Sequence, residues 1–310
     1  MKKFILPITI LALFSGCANK INLSDYRPTA VPTNELAPKN LLQHTQKKAV
    51  IIKFKPFSYK GIRLSNIATA TLQTSLQQSN LIKISKVISQ RELKDYIKLT
   101  EIEAEGGDNS ENYAIQGNIE NISYTSTYHP TQYIKIKHKT ITIPSYWDYE
   151  SCADIHINIL KLPSLQNKYT NLSHACVSHR GGSFQSKQFN GFIIPKAVKK
   201  SVNDAVDQMK NFFAPKGYIL RVKKDGDDYI IKISLGKNQG IKPGVSFNIY
   251  DLSKDPDTKE IIPHKIGTAK VGDNTIWKDF CWATVDLNDN ESLKIGDLVK
   301  PTFEKSFFSF

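Results

Sequence analysis

Short apolar runs alternate with stretches of helical periodicity along the first part of the chain. Three runs predict strands, at 49–54, 81–88 and 113–122. Apolar residues recur at helical spacing over 64–76, between the first two runs, and predict a helix. A second helix follows the capping box formed by Ser89 through Glu92. The order strand, helix, strand, helix, strand predicts an α/β domain.

The later part of the chain changes to short strands. An apolar stripe over 191–213 predicts a long helix, which Ala-Pro-Lys-Gly at 214–217 ends. Beyond that point glycine turns separate short strands, as at Gly226, and favour a small closed barrel of the SH3-like type. We therefore expect an α+β protein with an α/β domain over 46–214 and a small β-barrel domain over 216–310.

Aromatic residues are concentrated in the segment 123–150. The same segment contains Ile-Lys-Ile-Lys at 134–137, an alternation typical of a strand with two different faces. We predict a surface-exposed flap that binds a membrane or a partner protein. Its candidate contact residues are Tyr124, Tyr128, Tyr133, Tyr146 and Trp147.

The amino terminus predicts export. Two lysines precede an apolar stretch over 4–14, which is well short of the ~20 residues that a membrane-spanning helix needs. Leu-Phe-Ser-Gly then precedes Cys17, and this segment resembles the lipobox of bacterial lipoproteins. The resemblance implies a signal peptide over 1–16, lipid on Cys17 and a linker over 17–45. The alternative is a plain signal peptide with a chance cysteine.

A formal net charge of +13 raises the question of an anionic partner. Export argues against nucleic acid. A basic face would instead meet lipid headgroups, peptidoglycan or an acidic protein. Charges scattered over all faces for solubility are an equally good explanation, because no run of five like charges occurs.

Two alternating stretches, 153–159 and 172–177, flank turn residues and predict a β-hairpin. If this hairpin is symmetric about position 164, Cys152 lies directly opposite Cys176. Directly opposed strand residues come within disulfide range, and the compartments outside the cytoplasm are oxidising. We therefore predict a disulfide between these two cysteines.

A metal site is the competing interpretation of the same hairpin. Its ligands would be Cys152, His156, His174, Cys176 and His179. The spacings match no established zinc pattern, so we expect no metal and no cofactor.

Catalytic motifs are missing from the sequence. A glycine-rich phosphate loop after a strand, Gly-x-Ser-x-Gly and His-Glu-x-x-His are all absent. Asp154, His156 and His174 are candidates for an acid–base group, or simply for the polar outer face of a hairpin. We expect no catalytic residues and no enzymatic activity.

Two sequence blocks resemble known families. Ser-Gln-Arg-Glu-Leu at 89–93 and Tyr-Ala-Ile-Gln-Gly at 113–117 resemble the α/β domain of curli-secretion (CsgG-like) lipoproteins and related TolB-type amino-terminal domains. The block 235–247 resembles the carboxy-terminal barrel of flagellar assembly protein T. The resemblance implies a structural or assembly role at the outer membrane, homo-oligomers and no catalytic residues.

Three hypotheses follow from these resemblances. The protein is a ring-forming or scaffold lipoprotein of a secretion or motility apparatus, an export-pore subunit, or a lipoprotein that activates a cell-wall synthase. The first and main hypothesis places the chain on the outer membrane, lipid-anchored and facing the periplasm. Its expected partners are the membrane, other envelope proteins and further copies of the chain.

Overall fold

The computed structural model describes residues 20–42, 47–105, 111–137, 139–182 and 191–303. The elements in chain order are β1 (Arg27–Pro28), β2 (Lys47–Ile52), β3 (Ser58–Tyr59), β4 (Ile62–Arg63), α1 (Leu64–Ser79), β5 (Lys83–Ile88), α2 (Leu93–Glu105), β6 (Glu111–His129), β7 (Gln132–Ile136), β8 (Lys139–Ile143), β9 (Tyr146–Lys161), β10 (Gln166–Gly181), α3 (Ile193–Phe213), β11 (Gly217–Asp225), β12 (Asp228–Ile233), β13 (Ser246–Lys254), β14 (Ile261–Ile276), β15 (Cys281–Leu287) and β16 (Leu298–Thr302). Short 3-10 turns lie at Gln90–Glu92 and Lys237–Gln239.

A five-stranded mixed sheet forms the first half of the molecule, in the order β10-β9-β6-β2-β5. β2 runs parallel to β5 and β6, whereas β9 is antiparallel to β6 and β10. Helices α1 and α3 cover one face and enclose the main core, and α2 packs on the other face at the β2 end. We call the face covered by α1 and α3 the inner face, and the opposite face the outer face.

The predicted helices are confirmed. α1 ends where Asn80 takes the left-handed conformation, φ +56°, and its buried residues recur every four positions along one side. Before α2, the Glu92 carboxylate accepts hydrogen bonds from the Ser89 N–H at 2.6 Å and the Ser89 hydroxyl at 2.8 Å. α3 buries the predicted apolar stripe, and Phe213 at its end is fully enclosed.

The second half is a closed antiparallel barrel of six strands. Its order is β11-β12-β15-β14-β13-β16, and pairing of β16 with β11 closes it. The predicted hairpin at Gly226 joins β11 to β12, and this glycine has φ +54°, as such a turn requires. The molecule is therefore a mixed α+β protein that is mostly β, while the exact domain boundaries stay a prediction.

The amino-terminal segment differs from the expected free linker. Residues 20–37 lie against the barrel: β1 pairs with β11, and Ile21 packs with Ile230 and Trp282. Ile21 also exchanges two backbone hydrogen bonds with the Asn274 side chain, both 3.1 Å long. The polar, proline-containing composition predicts a linker, but apolar residues within it reach barrel partners that are far away in sequence.

The leader and Cys17 lie outside the described residues, so the lipidation prediction has no structural counterpart here. No helix within the described part of the chain is long and apolar enough to cross a membrane.

Candidate functional site

The β9–β10 hairpin has the register that its sequence predicts. Cys176 pairs with Cys152, Ala175 with Ala153 and His174 with Asp154. Residues with even numbers in β9 lie on the outer face, since the odd-numbered ones are buried beneath α3. The Cys152 and Cys176 sulfurs are bonded to each other, 2.06 Å apart, on the outer face.

A histidine and a carboxylate lie beside this disulfide. His174 Nδ1 is 2.6 Å from Asp154 Oδ1, and His174 Nε2 is 3.2 Å from Cys176 Sγ. The carboxylate therefore fixes the orientation of the imidazole, whose second nitrogen faces sulfur. Chemically, this places a group that can donate or accept a proton next to a sulfur atom.

The structure brings together only part of the alternative metal-ligand set. Ligand atoms of Cys152, His174 and Cys176 lie within 4.8 Å of one another. His156 instead lies 3.5 Å from Glu120, and His179 stacks on Tyr149 with ring centroids 6.5 Å apart. The two sulfurs, which would have to be thiolates to bind zinc, are joined in the disulfide.

The five predicted contact residues of segment 123–150 do not form one surface. Tyr128 pairs with Trp147, and their rings lie 5.1 Å apart. Tyr146 lies on the outer face and stacks on His129 at 4.5 Å. Tyr124 is half-buried and packs against the main core.

Tyr128 and Trp147 belong to a longer row of rings, which we call the aromatic band. Trp147 stacks on Tyr149 at 6.4 Å, Tyr149 on His179 at 6.5 Å, and Phe192 meets His179 edge-on at 5.9 Å. The centre of the band is buried at Tyr149, while Tyr128 and Phe192 at its two ends are about half exposed. The band crosses three strands and ends at the start of α3.

Tyr133 lies elsewhere, on a two-stranded hairpin formed by β7 and β8. We call residues 132–143, without the undescribed residue 138, the arm. All of β7 and all of β8 except its last residue are exposed. One face carries isoleucines, with Ile134 paired to Ile141, and the other face carries Tyr133 paired to Thr142. The predicted flap is thus an extension of strands β6 and β9 that ends in an amphipathic arm.

Sequence reasoning missed the role of Arg180. Its Nε donates to Asp148 Oδ1 at 3.1 Å, and the guanidinium lies 4.2 Å from the Tyr146 ring centroid. The hydrogen bond to Asp148 raises the pKa of Arg180 above its ordinary value. Register arithmetic could have found this pair, because a hairpin symmetric about position 164 sets residue 148 opposite residue 180.

A cleft of about 720 Å³ separates the end of α1 from the barrel, with Lys47, Asn80 and Lys237 among its lining residues. The Lys47 ammonium donates to the carbonyls of Phe213 and Ala214, both at 3.2 Å. This lysine therefore secures the end of α3 to the sheet.

The chain matches no protein-family model and no curated protein. Among solved structures, the PelC dodecamer from Paraburkholderia phytofirmans is 9% identical, with a TM-score of 0.27, over 58% of this chain and 93% of that one. A minor lipoprotein from Acinetobacter baumannii is 9% identical, with a TM-score of 0.26, over 53% of this chain and 89% of that one. We base neither the fold nor the function on similarity of this extent.

Proposed function

We propose that this protein is a non-enzymatic, lipid-anchored structural component of the bacterial envelope. It is held by lipid on Cys17 and assembles with further copies of itself through the arm. The observation that carries the proposal is the exposed isoleucine face of the arm. The same proposal includes the apparatus, which is of the flagellar-ring or curli-export kind. It also includes a CsgG-like domain followed by an SH3-like domain.

The arm presents apolar surface that a free monomer would leave in water. Ile134, Ile136 and Ile141 are 43%, 54% and 48% exposed, and Tyr133 is 72% exposed. Two-stranded hairpins are at best marginally stable alone, and soluble monomers rarely keep contiguous apolar patches of this kind without a use. A binding partner that covers the isoleucines resolves both problems.

A second copy of the arm fits that requirement. An apolar hairpin face is complementary to another such face, and symmetric assemblies commonly use the same patch on both subunits. Lys135 and Lys137 at the positive tip, and Lys139, which pairs with Ile136 at the tip end of the isoleucine face, then stay at the rim in water. Tyr128 and Trp147, at the base of the arm, extend the contact with the residue types that dominate interface energies.

The alternatives fit the arm less well. Strands that cross an outer membrane need about 9–11 residues, and β7 and β8 have five each. This length disfavours an export-pore subunit that inserts the arm. An activator of a cell-wall synthase would be a monomer that captures the synthase, so the mass of the particle separates it from the main proposal.

The test is the mass of the detergent-solubilised full chain, measured by light scattering. The parent is expected to be a multimer of uniform size. A double variant, Ile134→Glu with Ile141→Glu, is expected to be a monomer, because burial of each isoleucine contributes about 1.5–3 kcal/mol. The matched control, Thr140→Glu with Thr142→Glu, adds the same charges in the same arm and should keep the parental mass.

Circular dichroism and an intact Cys152–Cys176 disulfide show that each variant is folded. A monomeric parent overturns the assembly proposal. An isoleucine variant that keeps the parental mass overturns the role of the arm.

A further inference from the structure

The disulfide between Cys152 and Cys176 lies on an open face of the sheet. Both cysteines are partly exposed, and they are flanked on that face by the exposed small residues Ser123 and Ser178. The main-core helices α1 and α3 pack on the opposite face. An external thiol can therefore approach the sulfurs directly from solvent.

His174 is placed to act on one of the two sulfurs. Its Nε2 contacts Cys176 Sγ at 3.2 Å, while Asp154 holds Nδ1 at 2.6 Å. The His174 side chain is 62% exposed, so it is in contact with solvent. The geometry makes the two sulfurs chemically different, because the His174 imidazole contacts Cys176 Sγ.

We infer that this disulfide is a thiol–disulfide exchange site, in which Cys152 is the attacked sulfur, Cys176 is the leaving group and His174 is its proton donor. The co-reactant is an external dithiol. The exchange is stoichiometric and independent of the assembly role proposed above.

A thiolate of the dithiol attacks Cys152 Sγ, and the bond between Cys152 and Cys176 breaks. Its electron pair goes to Cys176 Sγ, which takes the proton from His174 Nε2 and becomes a thiol. The second thiolate of the reductant then attacks its own mixed-disulfide sulfur, which releases Cys152 as a thiolate and the reductant as a disulfide.

Leaving-group protonation matters because the rate of exchange depends on how well the departing sulfur carries its charge. In the reverse direction, neutral His174 removes the proton from Cys176 and generates the thiolate that closes the disulfide. Asp154 does not touch sulfur and is a positioning residue. It keeps the proton of a neutral imidazole on Nδ1, so that Nε2 faces Cys176.

The first experiment measures rates on the folded full chain with dithiothreitol as the probe. Thiols are quenched by alkylation, and the peptides with Cys152 and Cys176 are quantified by mass spectrometry. His174→Asn is expected to slow reduction roughly tenfold or more near pH 6, since general acid catalysis is worth at least that much. The difference should shrink as pH rises, since general acid catalysis requires the protonated form of the donor.

Asp154→Asn tests the positioning role through the same pH profile. The reduction rate of Asp154→Asn should depend on pH less than the parental rate does. Asp154→Glu should restore part of the parental dependence on pH. The charged or titratable groups in the neighbouring rows of this face include His156 and Glu120, which pair with each other, and the exposed Glu150 on the far side of Cys152. His156→Asn is therefore the matched control and should react at the parental rate.

The second experiment uses glutathione, a monothiol, to trap the first step. The parent should carry the adduct mainly on Cys152, with Cys176 as the free thiol, and His174→Asn should lose this preference. A structural role for His174 would not produce such a bias. Equal adducts on both cysteines of the parent, or a parental reduction rate in His174→Asn, would overturn the inference.

Discussion

A buried carboxylate joins the amino-terminal segment to the barrel. Asp297 is fully buried, and its Oδ1 accepts a hydrogen bond from the Asn34 amide at 3.0 Å. Asn34 also donates to Asp251 at 2.9 Å, and the Lys294 N–H donates to Asp297 Oδ2 at 2.8 Å. Burial raises the pKa of Asp297 to about 6, despite these donors.

This pKa makes stability depend on pH in a defined direction. An aspartate in the unfolded chain releases its proton near pH 4, whereas Asp297 in the folded chain keeps it to about pH 6. Between these values the folded state binds more protons, so raising the pH through this window destabilises it. Relative to Asp297→Asn, the parent should lose on the order of 2 kcal/mol of unfolding free energy between pH 4 and pH 7.

Urea unfolding of both proteins at several pH values measures this effect. The subtraction removes other titrating groups, which are common to the two proteins. A constant difference across this window would mean that the pKa of Asp297 is the same in the folded and unfolded chain.

The contacts of Asn34 show what local sequence does not encode. The stretch around it is polar and contains prolines, which is typical of a linker. Its partners Asp251 and Asp297 are 217 and 263 positions away. Residues 20–37 of the expected linker therefore lie on the barrel, because tertiary partners, and not local propensity, decide whether such a residue is buried.

Secondary-structure elements were more predictable where periodicity extends over several turns. The three helices and the Cys152–Cys176 register follow from spacing alone. β6 and β9 are longer than expected, because the alternation of β-prone residues continues from Ser123 to Tyr128 without a breaker. The alternation of isoleucines in the arm is visible in the sequence. Their exposure is not, because it depends on the arm extending beyond the helices that cover the sheet.

Close packing against a neighbouring ring explains the glycine at position 117 in strand β6. A Cβ atom at this position would lie 2.1 Å from Cζ of the buried Phe54 ring. This glycine ends the Tyr-Ala-Ile-Gln-Gly block, so its place in the motif follows from the close approach of an aromatic ring.

Gly117→Ala should therefore destabilise the protein by about 1–3 kcal/mol, as overpacking of a core does. Gly182→Ala is the matched control, because nothing lies within 4 Å of its Cβ position and no positive φ is required there. Chemical unfolding midpoints of the two variants make the comparison. Equal midpoints would show that the Phe54 ring moves aside without cost.

The two largest hydrophobic cores in the described part of the chain lie between the sheet and helices α1 and α3, and inside the barrel. The lipid on Cys17 remains a prediction from the leader alone. Cys17→Ser should move the protein from the membrane fraction to the soluble envelope fraction, because stable anchoring requires acyl chains. Cys281→Ala is the control, since burial raises the pKa of the Cys281 thiol to about 12 and keeps it unreactive.

If the Cys17→Ser variant and the parent divide identically between the fractions, the lipid anchor is absent. The proposals for the arm and for the disulfide do not depend on the anchor, and their own experiments would still test them.

Cross-linking in intact cells tests the central claim, that copies of this chain meet through the isoleucine face of the arm. A photo-reactive residue replaces Ile134 in one strain and Thr142, on the opposite face, in another. Position 134 is expected to yield products at multiples of the chain mass, and position 142 is expected to yield few. Products from position 134 that contain no second copy of the chain would contradict this claim.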